Sequence, residues 1–102
     1  MKRVKRRYLA LQIETEQMPM EREFADAAWA SVAKLYGEFG ASQASLLLIA
    51  YDVERKTAVI RTALSTLSLV RASLASITLL AGRRASVHVV AVSGTIKSLY
   101  KR

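Results

Sequence analysis

From Arg7 to Glu14, apolar and polar positions alternate. Leu9, Leu11 and Ile13 fall on one face, and Tyr8, Ala10 and Gln12 on the other. This two-residue period predicts a half-buried strand. The polar stretch Glu16–Glu21 holds the only proline, Pro19, and suits a loop or the first turn of a helix. From about Met20 to Tyr36 the period becomes helical: Phe24, Ala28, Val32 and Leu35 line up, with Ala25, Trp29 and Tyr36 alongside. Glu21, Glu23 and Asp26 sit in its first turns, where the helix dipole favours acids. Gly37 and Gly40 are expected to end it. Ser45–Asp52 and Thr57–Thr62 read as strands, and the short polar Val53–Lys56 between them predicts an antiparallel hairpin. Thr66–Ala81 reads as a second helix. Its Leu67, Val70, Leu74, Ile77 and Ala81 follow a helical stripe, with Ser65 as cap and Gly82 as stop. Arg83–Arg84 lead into a β-branched strand, Ser86–Val92. Ser93-Gly94 then turns the chain into a short, basic, helical end, Thr95–Arg102.

The order β-α-β-β-α-β predicts an α+β, ferredoxin-like sandwich. Four antiparallel strands carry two helices on one face, and a short C-terminal helix follows. Residues 1–102 are expected to form one domain, with residues 1–6 as a basic arm. The other sheet face is left for a partner or extra elements. The RNA recognition motif shares this architecture with many unrelated domains, so function has to be argued from residues.

Charge changes the picture. The last acid is Glu54; nine basic residues follow it (Arg55, Lys56, Arg61, Arg71, Arg83, Arg84, Lys97, Lys101, Arg102) and no Asp or Glu. Up to and including it, seven basic residues face eight acidic ones, and five of those seven lie in Lys2–Arg7. An acid-free half at +9 repels itself unless an anion shares the charge, and a nucleic-acid backbone is the anion of matching density. There is no cysteine, hence no disulfide, thiolate metal site or thiol nucleophile. The apolar run after the basic start is too short for an export signal, and no stretch reads as a membrane span. An intracellular, cytoplasmic protein is expected.

Catalytic chemistry is sparse. The single histidine, His88, lies mid-strand without local metal-ligand partners. Asp52 and Glu54 flank a hairpin tip next to Arg55–Lys56 and read as a solvated turn rather than a Mg²⁺ site. Glu21, Glu23 and Asp26 read as dipole matching. No phosphate-binding loop, dinucleotide fingerprint or nucleophile elbow is present. The small phosphatases of this fold use an Arg–Asn pair, and this chain contains no Asn. No catalytic residue, metal ligand or bound cofactor is therefore assigned.

Tyr8 is the sole aromatic of the first strand and the third strand has none. Base stacking over an open sheet is thus disfavoured, and phosphate recognition by Lys and Arg is expected. The candidate RNA contacts are Arg3, Lys5, Arg6 and Arg7 of the arm, Arg61, Arg83 and Arg84, and Lys97, Lys101 and Arg102. Adjacent first and third strands would put Arg6–Arg7 and Arg61 in one patch and Arg83–Arg84 on an edge strand. The arm also suits a localisation signal or a membrane-surface patch, and Lys101–Arg102 a solvated end. Trp29, Arg71 and Leu74 are the candidate partner-interface residues; Arg71 also suits simple snorkelling from its helix. A second overall reading is a protein–protein module whose basic surface meets an acidic partner.

Several blocks carry a family likeness. Arg6-Arg7-Tyr8-Leu9-Ala10 opens the first strand, and Trp29 stands in the first helix. Val59-Ile60-Arg61-Thr62 forms the third strand, Val70-Arg71-Ala72 lies in the second helix, and Val92-Ser93-Gly94-Thr95-Ile96-Lys97 follows the last strand. Together they resemble ribonuclease P protein component two, the small α/β subunit of the archaeal and eukaryotic enzyme. The resemblance implies the sandwich above and pairing with a barrel-shaped protein, component three. It also implies self-dimerisation into a heterotetramer and binding to the ribonuclease P RNA. That RNA, with its own Mg²⁺, removes the 5′ leader from precursor tRNA. The chain departs from the family at Ala63 and Leu64, where relatives carry polar or charged residues, and in the bland loop Ala41–Ser45. The short chain leans archaeal.

Overall fold

The computed structural model describes residues 5–100. Strand β1 (Arg6–Thr15) keeps the predicted alternation: Leu9, Leu11 and Ile13 are at most 1% exposed. It lies mid-sheet, antiparallel to β3 (Thr57–Ala63) on one side and β5 (Arg83–Ser93) on the other. Strand β2 (Leu47–Asp52) pairs with β3 at one edge, and β4 (Leu79–Leu80) with the start of β5 at the other, in the order β2-β3-β1-β5-β4. The sheet therefore has five strands, not four.

The fifth strand comes at the expense of the second helix. Helix α2 spans Leu67–Ala75, after a 3₁₀ turn at Leu64–Thr66, and does not reach Ala81. Ala81 (φ 50°) and Gly82 (φ 79°) are both left-handed, the backbone of a two-residue hairpin turn. Gly82 thus turns a strand instead of stopping a helix. The short strand buries Leu80 at 1% exposure and leaves Leu79 outside.

Helix α1 also differs from its predicted extent, running over Glu21–Ala44. At its start Glu23 Oε1 accepts the Met20 N–H at 2.8 Å. Gly37, at φ 78° and ψ 172°, breaks the helical path. Helical structure resumes because Ala41 and Ala44 bury against the core at 1% and 0% exposure. The Thr62 hydroxyl of β3 donates to the Ala44 carbonyl at 2.8 Å, and Ser45 (φ 50°) ends the element.

Both helices cover one sheet face. Phe24 and Val32 of α1 and Val70 and Leu74 of α2 close over Leu9, Leu11, Ile13, Ile60 and Val87. Phe24 also packs on Tyr51 at 5.5 Å between ring centres. On the other face, helix α3 (Ile96–Tyr100) packs against β1 and β5 with Leu99 at 5% exposure, and Val59 of β3 is also buried. The predicted C-terminal helix is thus present within the described residues and covers part of the helix-free face.

Candidate nucleic-acid interface

Strand register brings distant basic residues together. Tyr8 stands opposite Arg61 on one side and Ser93 on the other, and Arg7 opposite Thr62. Strand alternation puts Arg6, Tyr8 and Arg61 on the face away from α1 and α2. The Lys5 carbonyl accepts the Leu64 N–H at 2.8 Å, closing this end of the sheet. The Arg7 guanidinium donates to the Arg6 carbonyl at 2.9 Å and lies 3.6 Å from where a Cβ on Gly94 would sit. It therefore packs under the turn that leads into α3. Thr95 caps that helix: its hydroxyl accepts the Ser98 N–H at 3.1 Å. Lys97 follows, exposed. Lys5, Arg6, Arg7, Arg61 and Lys97 thus gather at one end of the sheet, and none pairs with an acid among the described residues.

Arg61 is half-buried. Its Nε is shielded from solvent and has no hydrogen-bond partner among the described residues, the single buried side-chain polar atom there in that state.

Arg83 and Arg84 are exposed at the far end of β5. Ala85 faces Thr15 while Ser93 faces Tyr8, so the two basic groups are separated by about 26 Å of strand at ~3.3 Å per residue. The Thr15 hydroxyl donates to the Arg84 carbonyl at 3.0 Å and steadies that end. Arg3, Lys101 and Arg102 lie outside the described residues.

The remaining polar candidates serve local structure. Asp52 Oδ1 accepts the Arg55 N–H at 3.0 Å, tying up the hairpin tip. His88 Nε2 lies 2.9 Å from Glu14 Oε1, both largely exposed. Among the described residues, no group of three or more His, Asp or Glu is placed to hold a metal ion. The Tyr51 hydroxyl donates to the Pro19 carbonyl, and burial, then the Glu23 and Glu21 carboxylates, push its pKa above the ordinary value of 10.0.

The expected partner-interface trio does not share a surface. Leu74 is 0% exposed and belongs to the core, because its helical position faces Leu9 and Val87 rather than solvent. Trp29 is partly exposed beside Leu46–Leu48 at the β2 edge, whereas Arg71 sits near Val87 and Val89 of β5. Sequence reasoning missed Phe39, 77% exposed beyond the Gly37 break. Its apolar side chain between the two glycines expected to end the helix was the available signal.

A family model described as the Rpp14/Pop5 family matches residues 7–102. Ribonuclease P protein component 2 of Pyrococcus furiosus is 32% identical over 100 residues, covering 98% of this chain and 83% of that protein. The protein of the same name from Methanosarcina mazei is 30% identical over 95 residues, covering 93% and 80%. In a cryo-EM structure of yeast ribonuclease MRP, one chain superposes with a TM-score of 0.69 at 15% identity. It covers 93% of this chain and 78% of that one. That chain shares the fold.

Proposed function

The chain belongs to the Rpp14/Pop5 family, and we propose that it acts as a protein subunit of ribonuclease P. In this reading it binds the catalytic RNA and stabilises the fold that removes the 5′ leader from precursor tRNA. The observation that carries it is the near-end cluster of Lys5, Arg6, Arg7, Arg61 and Lys97 with no paired acid among the described residues. Cations held on a rigid sheet screen phosphate repulsion and let an RNA keep its compact form at lower salt. Hydrolysis belongs to the RNA and its Mg²⁺, and this chain supplies binding and positioning.

Component three is the proposed protein partner, with a second copy of the chain completing a heterotetramer in the cytoplasm. The exposed apolar side chains Trp29, Leu35, Tyr36 and Phe39 along α1 support a covering protein. They also favour the second reading, a protein–protein module with a basic surface.

Reconstitution tests both. The protein, its barrel partner and the ribonuclease P RNA are mixed, and cleavage of precursor tRNA is followed at low Mg²⁺. Activity that needs both proteins and is lost in the Arg61→Ala, Arg83→Ala, Arg84→Ala variant is expected. A tight protein pair that gives no stimulation would leave the interaction module and remove the RNA role.

A further inference from the structure

The near end of the sheet holds an aromatic ring, Tyr8, next to the Arg61 guanidinium. Tyr8 and Arg61 are direct cross-strand neighbours, with Cβ atoms ~5 Å apart in such a pair. Both point to the face opposite α1 and α2, part of which α3 covers. The Arg61 Nε is shielded from solvent, whereas its terminal nitrogens are not among the shielded, unpartnered atoms of the described residues. The two terminal nitrogens form the fork that a phosphate fills with two parallel hydrogen bonds.

The charge around the pair suits that ligand. Arg6 lies two residues along β1 on the same face, and Arg7, which alternates to the helix face, reaches the Gly94 turn that precedes Lys97. The acids of β1 and β2 stand at the other end: Glu14 pairs with Ser86, and Asp52 with Thr57. A phosphodiester on Arg61 brings its own nucleoside within reach of the Tyr8 ring. A base inside a duplex already has both faces stacked, so only an unpaired base can lie on that ring. The strand positions that neighbour Tyr8 on this face, Ala10, Val59 and Ala91, carry no aromatic ring, and the nearby ring of Tyr100 comes from α3 beside Ala10 and Val59.

Building on the RNA-binding reading above, we infer that the Tyr8–Arg61 pair holds one unpaired nucleotide of a single-stranded RNA segment, its phosphodiester on the Arg61 fork and its base on Tyr8.

The test uses the full chain and a short single-stranded oligoribonucleotide with a central 2-aminopurine, against a blunt RNA duplex of the same length. Fluorescence of the bound single strand should be quenched by stacking. Tyr8→Leu should weaken single-strand binding ~10-fold and leave duplex binding unchanged, while Tyr8→Phe keeps both. Arg61→Lys, which keeps the charge and loses the fork, should weaken single-strand binding several-fold. A bound strand whose 2-aminopurine stays bright overturns the inference with wild-type protein alone, whatever the variants do to folding. Equal effects of Tyr8→Leu on strand and duplex also overturn it, leaving phosphate binding intact. Failure to bind either RNA removes the RNA-binding reading as well.

Discussion

If phosphate contacts dominate, the two basic groups should contribute separable shares of the salt dependence. Each cation that displaces a counterion adds about 0.7–0.9 to the slope of log affinity against log salt. Lys5, Arg6, Arg7, Arg61 and Lys97 gather near the Tyr8 end of the sheet, and Arg83 and Arg84 lie at the other. The near group should then supply a slope of roughly 3.5–4.5 and the far pair roughly 1.4–1.8. Between 50 and 200 mM salt this amounts to about 2–2.7 decades and about one decade. With about 26 Å of strand between them, the two shares should add. The assay is anisotropy titration of structured RNA at a series of salt concentrations, for wild type, for Arg83→Ala with Arg84→Ala, and for Arg61→Ala with Lys97→Ala. Each double variant should flatten the slope by about 1.4–1.8. A wild-type slope near zero would refute phosphate recognition. A normal slope that the Arg83–Arg84 variant leaves unchanged would confine the interface to the near end.

Three further outcomes follow from the fold. Leu74→Ala should lower stability by about 2–5 kcal/mol in urea unfolding, because Leu74 is fully buried; a stable variant with weakened partner binding would return it to the interface. Ala81→Gly should raise the thermal midpoint, relieving a left-handed alanine (φ 50°) by up to about 1 kcal/mol, while Gly82→Ala (φ 79°) should lower it; the reverse order would contradict the hairpin turn. The folded state holds the Tyr51 proton more tightly than the unfolded chain, since its pKa is raised from 10.0. Its contribution is complete below pH ~10 and is lost as pH rises through the folded value; Tyr51→Phe should flatten the alkaline fall of the urea midpoint, and an unchanged fall would assign it to other groups.

The main elements were legible because their signals are local. Leu9, Leu11 and Ile13 alternate and are all buried, and Phe24, Ala28 and Val32 keep helical spacing and face the core. The α2–β4 boundary was not legible. Leu74, Ile77 and Ala81 continue a helical stripe, yet the chain leaves the helix after Ala75 and turns at Ala81–Gly82. A leucine stripe suits a helix face and a buried strand equally, and pairing with Arg83–Arg84 decided between them. Gly37 showed the converse: the break was visible, but the resumption to Ala44 depends on burial of Ala41 and Ala44 against distant residues.

The candidate interface divides in the same way. The amino-acid sequence by itself determined the excess of positive charge, its concentration after Glu54, and the family likeness, since these need only residue identities and order. It also determined that nucleophile and metal chemistry are poorly supplied. Only the tertiary structure decided that Arg61 stands beside Tyr8, that Arg7 packs under the Gly94 turn, and that Arg83–Arg84 lie far from both. It also decided that Leu74 is core. The physical reason is that charge and local periodicity are properties of neighbours in sequence, whereas register is set by how three strands separated by tens of residues bury their apolar faces together.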